Sequence, residues 1–143
     1  MSLIDKSLVI LDYEAENKDE VLHALADLAE SAGRLNDKAL YIEELYHREA
    51  EAPTNVGFST AIPHGRTDAV KEATLMFIRL NKEIPWNDEY VHMVFGIAVP
   101  ESEPSRVHLA MLAKVARKIM KEELRIALDN CTDCEGILSL LDE

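Results

Sequence analysis

The chain has 143 residues, of which 48% are hydrophobic and 29% charged, a balance that fits a globular protein and excludes disordered and fibrous classes. Fifteen Lys and Arg against twenty-seven Asp and Glu leave a formal net charge of -12, which repels nucleic-acid phosphates and anionic membrane surfaces. A chain of this size buries about two thirds of its unfolded surface without disulfides, so one domain over residues 1–143 is expected.

In chain order, the first apolar run is Ser7-Leu8-Val9-Ile10-Leu11, which stops at Asp12. It is too short for a signal peptide or a membrane span, so it reads as a buried strand over 8–12 of a cytoplasmic protein. Asn17 with Glu20 three residues later has capping-box spacing and opens a helix whose inner face carries Val21, Leu25 and Leu28, ending near Gly33. Asn36 or Asp37 caps a second helix bearing Leu40, Tyr41, Leu45 and Tyr46, which stops near Ala52 before Pro53. Small and β-branched residues over 54–62 predict a strand that ends in a turn at His64-Gly65, with Pro63 holding Ile62 extended.

Residues 73–80 and 91–99 are apolar at both odd and even positions, the pattern of strands covered on both faces. The polar stretch between them, around Pro85 and Trp86, is expected to be a loop. From 105 to 130 there is no Gly or Pro, and His108, Leu112, Val115 and Ile119 fall at helical spacing, so one long helix or two abutting ones follow Pro104. Thr132 and Glu135 cap a short last helix with Ile137, Leu138 and Leu141. This order predicts an α/β (α+β) three-layer sandwich, a mixed β-sheet flanked by helices on both faces.

His64 is the residue with most chemical promise, because it follows a strand between a rigid Pro63 and a sterically empty Gly65 that leave its imidazole open. A neutral imidazole is a nucleophile near pH 7 without an activating base, and it leaves readily from phosphorus. A tripeptide alone does not separate such a nucleophile from a structural turn histidine. His108, on the apolar face with Leu112 and Val115, reads by itself as a core histidine, and Arg48 by itself as a helix C-terminal cation.

Longer stretches narrow the choice. Arg48-Glu49, Thr54-Asn55-Val56-Gly57, Ala61-Ile62-Pro63-His64-Gly65, Val99-Pro100-Glu101 and His108-Leu109 with Leu112-Ala113 resemble the type-2 enzyme IIA components, the mannitol and fructose class, of the bacterial phosphoenolpyruvate-dependent sugar phosphotransferase system. The likeness runs along nearly the whole chain. It implies that His64 accepts a phosphoryl group from the carrier HPr and passes it to an enzyme IIB domain, and that His108 and Arg48 assist at the phosphoryl site. The physical requirement agrees, since a phosphoryl group in transfer spreads negative charge over three oxygens that fixed donors stabilise. An exposed apolar rim around His64 that includes Phe58 is expected as docking surface. Two departures stand out: family members commonly have a glycine near Ser59, and the 87–90 loop is short here.

A nitrogen-regulatory enzyme IIA would use the same histidine, and a non-catalytic binding module of the same fold would use none. No Walker-type glycine loop is present, so no bound nucleotide is expected, and because the transfer needs only positioning and charge stabilisation, no metal or other cofactor is expected either. Cys131-Thr132-Asp133-Cys134 has redox-motif spacing but lacks the preceding strand of a thioredoxin-like site, and His23, His47 and His92 lack metal-ligand spacing. These read as structural or surface groups.

Overall fold

The computed structural model describes residues 2–142. Asp5 caps a single 3-10 turn, Lys6–Leu8, that leads into β1, Val9–Tyr13. Two helices follow: α1, Lys18–Ser31, capped by Asn17, and α2, Lys38–Glu51, capped by Asp37, each cap carboxamide or carboxylate accepting from the backbone N–H three residues on. Next come β2, Asn55–Gly57, β3, Thr60–Ala61, and β4, His64–Thr67. The long strands β5, Thr74–Trp86, and β6, Glu89–Pro100, precede α3, Ser105–Ile119, α4, Glu122–Asn130, and α5, Cys134–Leu141.

The strands form one mixed sheet in the order β1-β5-β6-β3-β2. β1 runs parallel to β5, β5 antiparallel to β6, and β3 parallel to β6. β4 pairs with the same edge of β6 further along, Thr60 and Ala61 lying opposite Met93 and Val94 and His64 opposite Ile97. Between them Ile62-Pro63 steps off the edge and back on. Side chains alternate across the sheet. Met76, Ile78, Val94 and Ala98 meet α1 and α2 through Leu22, Leu25, Tyr41 and Leu45, whereas Leu75, Phe77, Phe95 and Ile97 meet α3, α4 and α5 through Val115, Ile119, Leu128, Ile137 and Leu141. The expected three-layer α/β sandwich is thus the observed architecture.

Three local expectations are corrected. The single strand over 54–62 is a tight hairpin, β2 to β3, with Phe58 and Ser59 at positive φ of 57° each, a conformation suited to a two-residue turn but one that glycine adopts at lower cost. The loop expected around Pro85 and Trp86 belongs to β5, which turns at Asn87 and Asp88 into β6; Ile84 and Trp86 are fully buried while Lys82, Glu83 and Pro85 face water. The 105–130 region is two abutting helices, one of the two arrangements expected, which part at Lys121, whose backbone is extended. The last helix is capped by Asp133, accepting from the Gly136 N–H at 2.7 Å, one residue beyond the expected Thr132.

Candidate functional site

His64 is the first residue of β4, not part of a turn, and its side chain is nearly enclosed, 8% exposed. The expectation of an open imidazole is corrected to that extent: α2 and α3 roof the strand end, and both ring nitrogens are engaged. Gly65 serves a different purpose from the one expected. A Cβ there would come within 3.0 Å of Glu44 Cγ and 3.6 Å of Tyr41 Cε1, so glycine lets α2 lie close against β4 and brings the end of that helix over the histidine.

Arg48, in the last turn of α2, donates from Nε to His64 Nε2 at 3.0 Å and from Nη1 to the Ala52 carbonyl at 2.7 Å. On the other side of the ring, His64 Nδ1 lies 2.8 Å from the Ile62 carbonyl oxygen. A carbonyl only accepts, so Nδ1 carries the proton and Nε2 holds the lone pair toward Arg48. Burial above all, with the Arg48 charge adding to it, lowers the His64 pKa below the usual imidazole value, against the opposing pull of the Ile62 carbonyl and the Glu49 carboxylate. The neutral tautomer is favoured.

His108 completes the cluster from α3. Its ring meets that of His64 edge to face, with centroids 5.2 Å apart and planes at 68°. Burial, then the charges of His64, Arg66 and Arg48, lowers its pKa to about 4, and its Nε2 is buried with no hydrogen-bond partner among the described residues. An unpartnered buried nitrogen is costly unless a ligand answers it. The three residues anticipated for the site, His64, His108 and Arg48, are therefore brought together from one strand and two helices.

Two supporting residues carried no assigned part in the sequence reading. Glu49, 7% exposed, accepts from both the Thr54 hydroxyl and, at 3.3 Å, the Thr54 N–H, with Lys18 Nζ 3.7 Å away. It fixes the exit of α2 and so the position of Arg48. Arg66, on the same face of β4 as His64 two residues on, donates from Nε to the Glu103 carbonyl at 3.0 Å and from Nη2 to the Glu101 and Glu103 carbonyls at 2.8 Å each. It holds the connection from β6 into α3, and thereby the start of the helix that carries His108. Its nearness to His64 in the motif was visible; its reach across 37 residues was not.

Phe58 is 47% exposed, with the Arg125 guanidinium carbon 3.9 Å over its ring, and Val56, Leu109 and Met120 are exposed as well. His23 stacks edge-on with Tyr46, His47 faces solvent near Glu44, and His92 bridges Ser59 and Asp129 at 2.7 Å each, none of them touching the cluster. Cys131 and Cys134 are half-buried free thiols. Among the described residues no helix is long and apolar enough to cross a membrane.

The three-layer fold thus sets a histidine at a strand end beside a guanidinium and a second imidazole. The family model described as "Phosphoenolpyruvate-dependent sugar phosphotransferase system, EIIA 2" matches residues 2–143, and the chain belongs to that family. It is 33% identical to the fructose-specific EIIA component of Haloferax volcanii, over 95% of this chain and 90% of that protein. It is 29% identical to the 2-O-alpha-mannosyl-D-glycerate-specific EIIABC component of Escherichia coli over 99% of its own residues, but spans only 22% of that protein's length. Among solved structures, the nitrogen regulatory protein IIA-Ntr of Neisseria meningitidis superposes with a TM-score of 0.89 at 30% identity, over 97% of this chain and 96% of that one.

Proposed function

We propose that the chain is a cytoplasmic phosphocarrier in which His64 Nε2 takes a phosphoryl group from phospho-HPr and passes it to an enzyme IIB domain serving uptake of a sugar of the fructose or mannitol class, with residues 1–143 acting as one domain. The observation that carries the reading is the 3.0 Å contact from Arg48 Nε to a lone-pair-bearing His64 Nε2, with His108 Nε2 unpartnered alongside. In the transfer, the His64 Nε2 lone pair attacks phosphorus, and the bond from phosphorus to the donor's ring nitrogen breaks, its electron pair returning to that nitrogen. No proton need move. As the new bond forms, Arg48 shifts from the nitrogen to a phosphoryl oxygen, and His108, at the positive end of α3, supports the others. No nucleotide, metal or other cofactor is required of this chain, because positioning and charge suffice.

The exposed Val56, Phe58, Leu109 and Met120 supply the docking rim. The test is incubation with phosphoenolpyruvate, enzyme I and HPr, followed by mapping of acid-labile phosphate. Label is expected on the unaltered chain and absent from His64→Ala; label that persists in that variant would place the nucleophile elsewhere. The likeness to a nitrogen regulatory protein supports a second reading, in which the same phosphohistidine controls binding to regulatory targets. Transfer onward to a purified enzyme IIB domain favours transport over regulation, and its absence favours regulation.

A further inference from the structure

On the side of the sheet covered by α3, α4 and α5, away from the histidine cluster, a cavity of about 90 Å³ opens between sheet and helices. Leu75 of β5 and Phe95 of β6 contribute from the sheet, Met111 and Val115 from α3, and Leu141 from α5. Four of these, Leu75, Phe95, Val115 and Leu141, are buried. Ser2, Leu3 and Ile4 close the remaining side as a strap, held to β5 where the Leu75 N–H donates to the Leu3 carbonyl at 2.9 Å.

The lining also carries charge. Met111, Lys114, Val115 and Lys118 stand at helical spacing on α3, so two lysines share one stripe with two of the apolar wall residues. A lysine stem lies along apolar surface while its ammonium stays in water, which sets the positive charge at the opening. Lys114 is exposed and forms no hydrogen bond or ion pair among the described residues. Asp142 is the one acid in the lining among those residues.

Apolar walls give a water molecule too few of the two to four polar partners that it needs when buried. An apolar occupant, by contrast, restores van der Waals contacts that the lining side chains otherwise forgo. Benzene fits an apolar cavity of about 150 Å³, or about 25 Å³ per carbon, so about 90 Å³ takes a tail of about three or four carbons.

We propose that this cavity binds a short-chain aliphatic monocarboxylate, with its tail among Leu75, Phe95, Val115 and Leu141 and its carboxylate at the Lys114 ammonium. An amine with the same chain is repelled by Lys114 and Lys118. A doubly charged head brings its second charge toward Asp142, and a long-chain acid overruns the volume. Met111 stands three residues beyond His108 on α3, so the occupant bears on the helix that carries the second imidazole.

The test titrates valerate, whose tail has four carbons, into the full chain near neutral pH, with acetate and pentylamine as comparison probes. Binding is read by NMR from the methyl signals of Leu75, Met111, Val115 and Leu141. Valerate is expected to bind at least about tenfold more tightly than acetate, which lacks three of the buried carbons, and about tenfold more tightly than the amine. Lys114→Glu, at an exposed position, is expected to cancel the advantage over the amine, with a thermal melt checking that the fold is kept. Val115→Phe fills the space and is expected to abolish binding; should that variant unfold, Lys114→Glu decides alone. Equal affinity for valerate and the amine, shifts confined to residues outside the cavity, or no binding of valerate overturns the proposal, as does a valerate affinity unchanged in Lys114→Glu.

Discussion

Acidification of the unphosphorylated protein isolates the electrostatics of His108. Its folded pKa is about 4, against about 6.5 for an unfolded histidine. Between those values the unfolded chain binds a proton at position 108 that the folded chain refuses, so the unfolding free energy falls as pH falls through this window and is insensitive to the group above it. Worked from about pH 7 to about pH 5, the full difference removes about 2 kcal/mol, and partial solvent screening reduces that to about 1 kcal/mol. His64, also lowered by burial, adds with the same sign. The assay is a urea unfolding series at both pH values on the unaltered chain and on His108→Gln, where the unaltered chain is expected to lose about 1 kcal/mol more than the variant. Parallel losses would refute the assignment of a neutral, desolvated imidazole at 108. On the phosphocarrier reading the sign then reverses: a phosphoryl group on His64 sets negative charge beside the same ring, and the His108 pKa climbs.

Arg48→Lys keeps the cation but loses the Nε donor that reaches His64, and transfer from phospho-HPr is expected to slow by on the order of 100-fold in quench-flow; a change of less than about threefold counts against a part in the transfer. Arg66→Met frees the Glu101 and Glu103 carbonyls and removes a charge that lowers His108, so the His108 ring signals are expected to titrate at higher pH by NMR, and an unmoved titration would remove Arg66 from the site. Gly96→Ala places a Cβ 2.6 Å from Leu25 Cδ2 in the closed core under α1; the expected cost is about 1–3 kcal/mol in the guanidinium midpoint, and a neutral outcome would mean that the core yields there.

Much of the layer architecture was legible in residue patterns. Doubly apolar runs at 73–80 and 91–99 marked the central strands, and Asn17 and Asp37 marked helix starts, because these signals are local. Failures came where tertiary context decides. Ile84 and Trp86 are buried in alternation with exposed Glu83 and Pro85 in β5, an arrangement that the expectation of a loop around Pro85 missed, although Pro at a strand margin is permitted. The turn has no glycine at its two central positions, Phe58 and Ser59, and its one local mark is Gly57 just before them, at φ 89°. Two abutting helices over 105–130 were among the expectations, but the point of division was unmarked, since Lys121 has no Gly or Pro beside it and α4 buries Leu128 against the sheet. At the site, the motif located His64, but the enclosure of its ring and the reach of Arg66 to a distant connection follow from how α2 and α3 seat on β4, which no local spacing encodes.

The Ile62 carbonyl and the Arg48 guanidinium pin the imidazole from opposite sides, which leaves the ring with no swinging arm. On the phosphocarrier reading, giver and receiver then cannot be seated together at one fixed ring, so each round trip consists of two separate visits. The fraction of molecules found loaded would in that case read out the imbalance between supply upstream and demand downstream.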